Sequence, residues 1–318
     1  MREAVVIAHP NVALSKYWGK REGEGNVPAV PSLSVTLAGL TTRTRLAWDA
    51  GLRDHRFALD GAARTRPEAP KVFAFLDALG RAQGVSASAD VDTRNDFPTA
   101  SGLASSASGF AALALAGVRA NGCDWDVERI ADLARQGSAS AARSLFGGFV
   151  ELEGTQARAI APVGHLPLAI LVCVTTEAPK AVGSSEGMRV TMERSPYARA
   201  WLTEAPRLHA QLREALLAKD FARVGELAEA SALAMHACAI AAGVVYWTGA
   251  TLDALATVRA LRAVGTAVYA TIDAGPHVKV LTRATDAAAV SEAMRRVPGV
   301  LRVIEARPGE GAHLEGAS

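Results

Sequence analysis

The chain has 318 residues, 33.1 kDa, with 50% hydrophobic and 21% charged residues, which excludes a disordered or fibrous protein and fits two moderate domains or one large α/β unit. A net charge of +2 without a dense Lys/Arg stripe argues against nucleic acid or a membrane surface as a partner. The cysteines Cys123, Cys173 and Cys238 are scattered, with neither CxxC nor Cys/His spacing, so no disulfide framework or zinc site is expected.

The first residues carry too short an apolar run for a signal peptide, and "FAALALAGV" falls short of the ~20 residues that span a bilayer. A soluble cytoplasmic protein is expected. In chain order, Ala4–Ala8 reads as a buried strand, and "HPNVALSKYWGKRE" as a loop. "SLSVTLAGL" and "TTRTRLAWDA" read as strands. "APKVFAFLDALGRAQG" has helical spacing with Gly84 as its stop. "SADVDTRN" is a strand leading into "NDFPTASGLASSASGFAALALA", helical from Ser105 to Ala120. Asp126 is placed to N-cap "VERIADLARQ", and "GSASAARSLFGGFVELE" passes from a short helix into a strand.

A change of composition at "APVGHLPLAILVCVTT" opens a second domain. Ala181–Met188 reads as a Gly/Ser loop, Pro206 to Ala239 as helical, and "VRALRAVG" and "AAAVSEAMRRVPG" as later helices. "TAVYATID", "HVKVLT" and "VLRVIEA" are strands of a layered α+β pattern. The tail "RPGEGAHLEGAS" is expected to fray.

"SGLASSASG" places small and hydroxyl residues at a helix N-terminus, where unpaired N–H groups and the peptide dipoles favour an anion. No Walker lysine follows it and no GxGxxG is present, so a packed helix cap and a phosphate cradle both remain open there. "PNVALSKYWGK" groups Asn11, Ser15, Lys16, Tyr17 and Lys20 as a basic wall, or as solvated surface charge. Arg143, in an apolar stretch, needs an anionic partner, internal or bound. Asp273 ends a β-run before Ala274, Gly275 and Pro276, placed either to enter a cleft or to cap its own turn. The seven histidines show no metal-ligand spacing, which speaks against a metal hydrolase.

Together "NVALSKYWGKRE", "PSLSVTL", "NDFPTASGLASSASGFAAL", "GSASAARSLFGGFVE", "VGSSEGM", "MHACAI" and "TIDAGPHV" resemble the GHMP kinase superfamily and, within it, the mevalonate diphosphate decarboxylase family. The resemblance implies an α+β GHMP kinase-like two-domain fold, residues 1–165 and 166–318, with the active site in the interdomain cleft of a homodimer. It implies ATP-dependent decarboxylation of (R)-5-diphosphomevalonate to isopentenyl diphosphate with ADP, phosphate and carbon dioxide, using Mg²⁺. By the same resemblance Ser105, Ser106 and Ser108 and the loop residues Ser101, Gly102, Leu103 and Ala104 hold the ATP phosphates. Ser106 would hold the metal, and Asn95 would lie on the nucleotide side. Tyr17 and Lys20 would face the substrate diphosphate, with hydroxyls from Ser138, Ser140, Ser184 and Ser185. Arg143 would hold the substrate carboxylate, and Asp273 and Lys16 would flank the C3 hydroxyl.

Three departures stand out. His277 replaces the family's usual asparagine, "MHACAIAAGVVYW" lacks a Pro-Pro pair, and Ser185 stands where some bacterial relatives have arginine. The alternatives are a decarboxylase of the monophosphate, a mevalonate 3-kinase-like enzyme, and a non-catalytic nucleotide-binding regulator on the same fold.

Overall fold

The computed structural model describes residues 3–21, 26–97, 105–178 and 180–316. Its first half runs β1 (Glu3–Ala8), β2 (Asn11–Ser15), β3 (Ser32–Ala38), β4 (Thr42–Asp49), β5 (Arg56–Leu59), β6 (Ala62–Arg64), α1 (Pro70–Gln83), β7 (Ser88–Asn95), α2 (Ser105–Ala120), α3 (Val127–Gly137), α4 (Ala141–Ser144), β8 (Phe149–Glu153) and β9 (Gln156–Ala161). The second half continues with β10 (Leu168–Val174), α5 (Ser184–Arg194), α6 (Ala198–Leu217), α7 (Phe221–Ala241), α8 (Gly249–Ala263), β11 (Val268–Ile272), β12 (Val278–Arg283), α9 (Ala287–Arg295), β13 (Arg302–Pro308) and β14 (His313–Leu314).

Among the described residues two sheets form, ordered β14-β1-β4-β7-β5-β6 and β11-β12-β10-β13-β3-β8-β9, with β2 added beside β3. The second sheet crosses the two halves, because β13 pairs with β3, while β14 returns to β1. One core lies between the first sheet and α1–α4, built on Leu46, Val91, Leu76, Leu113 and Ile130. Strand β10 is buried throughout. One cluster joins Ile170 and Val172 to Leu212 of α6 and Leu227 of α7, and another joins Leu171 and Cys173 to Val258 of α8 and Met294 of α9. Cover on both faces explains why "LAILVCV" shows no polar alternation.

Helix α2 packs against β1 and β4 and touches α3 and α4, and this closeness requires small residues. A Cβ on Gly117 would collide with Leu79, and one on Gly137 of α3 would collide with Phe110. Gly84 closes α1 in the left-handed conformation, and the Asp126 carboxylate accepts the Arg129 N–H, capping α3. Helix α7 has the length and apolarity of a membrane span, but over half of that window is buried inside the fold.

The structure departs from sequence expectation in several places. Residues 11–15, read as loop, form β2, whose residues are all buried and pair with β3. The partner lies some twenty residues away, so no local signal announces the strand. Gly183 N-caps α5, turning half of the expected Ala181–Met188 loop into helix. The helical region begins at Ala198 rather than Pro206, which sits inside α6, and it breaks at residues 218–220 before α7. The tail is ordered as far as β14, where Leu314 pairs with Val6. Strands β5, β6 and β9 were not foreseen.

Candidate active site

A cleft of about 830 Å³ opens where β2, α1, α2, the α3–α4 turn, α5 and the β11–β12 turn converge. The end of β2 aims the first residues into it. A bulge between Ala13 and Ser15 shifts the register, which turns the strand locally. The Ser15 hydroxyl accepts the Leu33 N–H at 2.8 Å, and the Lys16 N–H donates to Ser231 Oγ at 3.0 Å. Lys16 is thereby held on two sides while its side chain runs across the cleft floor.

Lys16 Nζ donates to the Ala13 carbonyl at 2.9 Å and lies 2.7 Å from Asp273 Oδ1. On the other carboxylate oxygen, Lys279 Nζ is 3.2 Å from Oδ2. Burial alone would raise the Asp273 carboxyl, but the two ammonium groups outweigh it and hold it well below the usual carboxylate range. Burial pulls the Lys16 ammonium down to about 8 despite the carboxylate beside it. His236 Nε2 donates to the Asp273 carbonyl at 3.2 Å, and burial together with the Lys16 charge drops its imidazole to about 3, leaving it neutral.

Arg143, 2% exposed, meets no carboxylate in a salt bridge among the described residues. Its guanidinium donates from Nη1 to Ser32 Oγ at 2.6 Å and from Nε and Nη2 to Asn11 Oδ1 at 3.3 and 3.2 Å. Asn11 is fixed in turn through Nδ2 to the Ser140 carbonyl and Ser144 Oγ. Neutral acceptors orient this cation without neutralising it, and burial draws it down to about 10.

At the other end of the cleft, Lys20 Nζ donates to Asn26 Oδ1 at 2.8 Å and Ser185 Oγ at 2.9 Å. Lys180 Nζ donates to Ser184 Oγ and the Ala274 carbonyl, both at 3.0 Å. Ser138 and Ser140 share a hydroxyl contact at 3.1 Å. The Tyr17 hydroxyl is buried with no partner among the described residues, and burial raises it. Ser106 of the first α2 turn and Lys71 of α1 complete the wall. Of the charged side chains that line the cleft among the described residues, Lys16, Lys20, Lys71, Lys180 and Arg143 are cations and Asp273 is a carboxylate.

The expected site residues therefore divide. Lys16, Tyr17, Lys20, Ser106, Ser138, Ser140, Arg143, Ser184, Ser185 and Asp273 all line one cleft. Ser101, Gly102, Leu103 and Ala104 lie outside the described residues. Ser105 begins α2 but does not line the cleft. Ser108 turns the other way: two residues on, about 200° round α2, it is fully buried and bonded to Thr42 Oγ1 at 2.6 Å. The Asn95 side chain likewise faces Thr42 and borders a separate, smaller cavity with Asp96, Phe97 and Arg302. His277 does not reach toward Asp273 through its Nδ1, which accepts the Thr175 N–H at 3.2 Å, and α7 runs unbroken past the missing prolines to Ala241.

Sequence reasoning missed Lys279, Lys180, Lys71 and the anchoring role of Asn11 and Ser32. A lysine inside the strand-like run "HVKVLT", six residues after Asp273, was the available signal for Lys279.

Residues 8–161 match the family model described as diphosphomevalonate decarboxylase-like N-terminal domain, and residues 170–307 the mevalonate 5-diphosphate decarboxylase C-terminal domain. The diphosphomevalonate decarboxylase of Candida albicans is 32% identical over 88% of this chain and 84% of its own length. That of Eremothecium gossypii is 35% identical over 74% of this chain and 65% of its own length. A solved structure described as MDDEF in complex with MVAPP, AMPPCP and magnesium superimposes with a TM-score of 0.92 at 37% identity, over 98% of both chains.

Proposed function

The chain belongs to the mevalonate diphosphate decarboxylase family, with its GHMP kinase-type α+β fold, and from that premise we propose that it converts (R)-5-diphosphomevalonate and ATP to isopentenyl diphosphate, ADP, phosphate and carbon dioxide. The observation that carries this reading is the charge imbalance of the cleft, five cations against one carboxylate among the described residues. Such a wall suits two polyphosphates and a carboxylate together.

Each residue then has a physical task. Lys20, Tyr17, Ser138, Ser140, Ser184 and Ser185 surround the substrate diphosphate at the α5 end of the cleft. The two guanidinium N–H groups of Arg143 not spent on Asn11 and Ser32 grip the substrate carboxylate. The Ser106 hydroxyl, exposed in the first turn of α2, would hold a hard cation, and Lys71 and Lys180 fit the phosphates. Bound Mg²⁺ would neutralise charge on the transferring phosphoryl group.

Asp273 accepts the proton of the C3 hydroxyl as that oxygen bonds to phosphorus and the bond from phosphorus to ADP breaks. Lys16 stabilises the oxygen charge. A tertiary hydroxyl leaves poorly and a phosphate leaves well. Once phosphate departs, the electrons of the carboxylate bond form the double bond and carbon dioxide is released. Arg143 holds that carboxylate in line until it goes.

We place the domain division at 165/166, between β9 and β10, as the two matched ranges support. A cytoplasmic homodimer acting on small molecules, without membrane or nucleic acid, completes the proposal, supported by the resemblance and by the net charge of +2. The test is incubation of the protein with ATP, Mg²⁺ and either mevalonate 5-diphosphate or 5-phosphate. Isopentenyl diphosphate from the diphosphate supports the reading. Product from the monophosphate alone replaces it with a monophosphate decarboxylase, ADP without carbon dioxide with a kinase, and nucleotide binding without turnover with a regulator.

A further inference from the structure

Lys279 has no task in the reaction as derived above. It projects from β12 opposite Val172 of β10 and Thr271 of β11, and it is 2% exposed. A lysine in a sheet interior is costly unless it is paired, and an apolar residue of similar volume packs there without that desolvation. The two lysines on Asp273 are not equivalent. Lys16 lines the cleft and reaches Oδ1 at 2.7 Å, whereas Lys279 lies outside the lining and reaches Oδ2 at 3.2 Å. The Thr271 hydroxyl, which faces the same interior, donates to the Ala13 carbonyl that also receives Lys16 Nζ.

We propose that Lys279 is a positioning residue, the standing counter-ion that keeps the Asp273 carboxylate ionised and aimed into the cleft while Lys16 turns from Oδ1 to the phosphoryl oxygens. This rests on the proposed role of Asp273 as proton acceptor. If Lys16 were its sole partner, engaging a phosphate would leave a partly buried carboxylate with no cation on it. That carboxylate would take a proton from solvent and cease to accept one from the substrate.

The other charged or titratable groups around Asp273 are His236 from α7, Arg143 from α4 and Lys180 from the segment before α5. His277 is engaged with Thr175. Burial, first, and the Lys16 charge hold His236 at about 3, so it does not change charge in mild acid, and the lysines and arginine stay charged there. A change of pH profile in that range therefore reports Asp273. Titration of the substrate phosphates is common to every variant and cancels in a ratio.

The experiment measures kcat with saturating MgATP and mevalonate 5-diphosphate from about pH 5 to 9 for wild type, Lys279→Met and Lys279→Arg. In Lys279→Met the ratio of kcat at about pH 7 to kcat at about pH 5.5 should exceed the wild-type ratio by ~3-fold to ~15-fold, since a carboxyl left without a counter-ion beneath the bound substrates rises by ~2–3 pH units above its usual ~4. KM should change less than about 3-fold, because Lys279 does not line the cleft, and Lys279→Arg should keep the wild-type profile whatever its height. A Lys279→Met enzyme slowed by one factor at every pH, or a Lys279→Arg profile that shifts with it, overturns the inference. Should Lys279→Met fail to fold, Lys279→Gln is read the same way. Wild-type protein that releases no carbon dioxide overturns the functional reading and this inference with it. An active wild type with an unshifted Lys279→Met profile overturns the inference alone.

Discussion

Replacing Arg143 with lysine keeps the charge and removes the fork, and the structure sets the size of the effect. A guanidinium has five N–H groups. Three are engaged here, one on Ser32 and two on Asn11, leaving two for a substrate carboxylate. A lysine ammonium offers three donors from one atom, so it cannot satisfy Ser32, Asn11 and a bidentate carboxylate together. Two charged hydrogen bonds lost, at ~1.5–3 kcal/mol each, amount to ~3–6 kcal/mol, or a fall of ~10²–10⁴ in kcat/KM. The assay is steady-state carbon dioxide release with mevalonate 5-diphosphate varied. In parallel, the affinity for a fluorescent ATP analogue should stay within about 3-fold, because the proposed task of Arg143 is to hold the substrate carboxylate and not the nucleotide. An Arg143→Lys enzyme within about 3-fold of wild-type kcat/KM would refute carboxylate recognition by this side chain.

Lys20→Ala should raise KM for the diphosphate substrate by ~10-fold or more while kcat falls less, because Lys20, bonded to Ser185 at the start of α5, is proposed to bind the diphosphate and not to act on the reacting centre; a drop confined to kcat would contradict that proposal. Glu151 supplies a pH test of stability. Its carboxyl is lowered from 4.5 to about 2, first by the His209 hydrogen bond and then by Arg158, against burial. A depressed carboxyl stabilises the fold fully above its unfolded value and loses that contribution as pH falls through the folded one. The stability advantage of wild type over Glu151→Gln in urea unfolding should therefore be largest above about pH 4.5 and shrink toward pH 2, starting from roughly 3 kcal/mol. A gap that stays constant across that window would rule out the ionised Glu151–His209 contact as its source.

What the sequence disclosed and what it hid follow one physical division. Features carried by neighbouring residues were legible. The capping Asp126, the stop at Gly84 and the Ser105–Ala120 helix are all local, and the structure places them where expected. Strand β2 was not, because its partner β3 begins at Ser32 and its own residues, buried together, show no alternation. The site divides in the same way. The apolar setting of Arg143 pointed to an anionic partner, but the acceptors it meets among the described residues, Asn11 and Ser32, are neutral and lie more than a hundred residues away. Ser108 looked equivalent to Ser106 in a serine-rich run. Helical geometry separates them, putting Ser106 in the cleft and Ser108 against Thr42 in the core. Lys279 was hidden because a lysine in a strand usually faces water, and only the tertiary fold puts it against Asp273.

The central claim is that this cleft couples phosphoryl transfer to loss of the substrate carboxylate. Its most direct measurement is the stoichiometry of a single turnover with mevalonate 5-diphosphate labelled in the carboxyl group, counting carbon dioxide and ADP together. The account predicts one carbon dioxide for each ADP in wild type, and both lowered together, by at least the ~10²–10⁴ attributable to one acid/base group, in Asp273→Asn. ADP formed without carbon dioxide, or an Asp273→Asn variant that keeps the full wild-type rate, would contradict it.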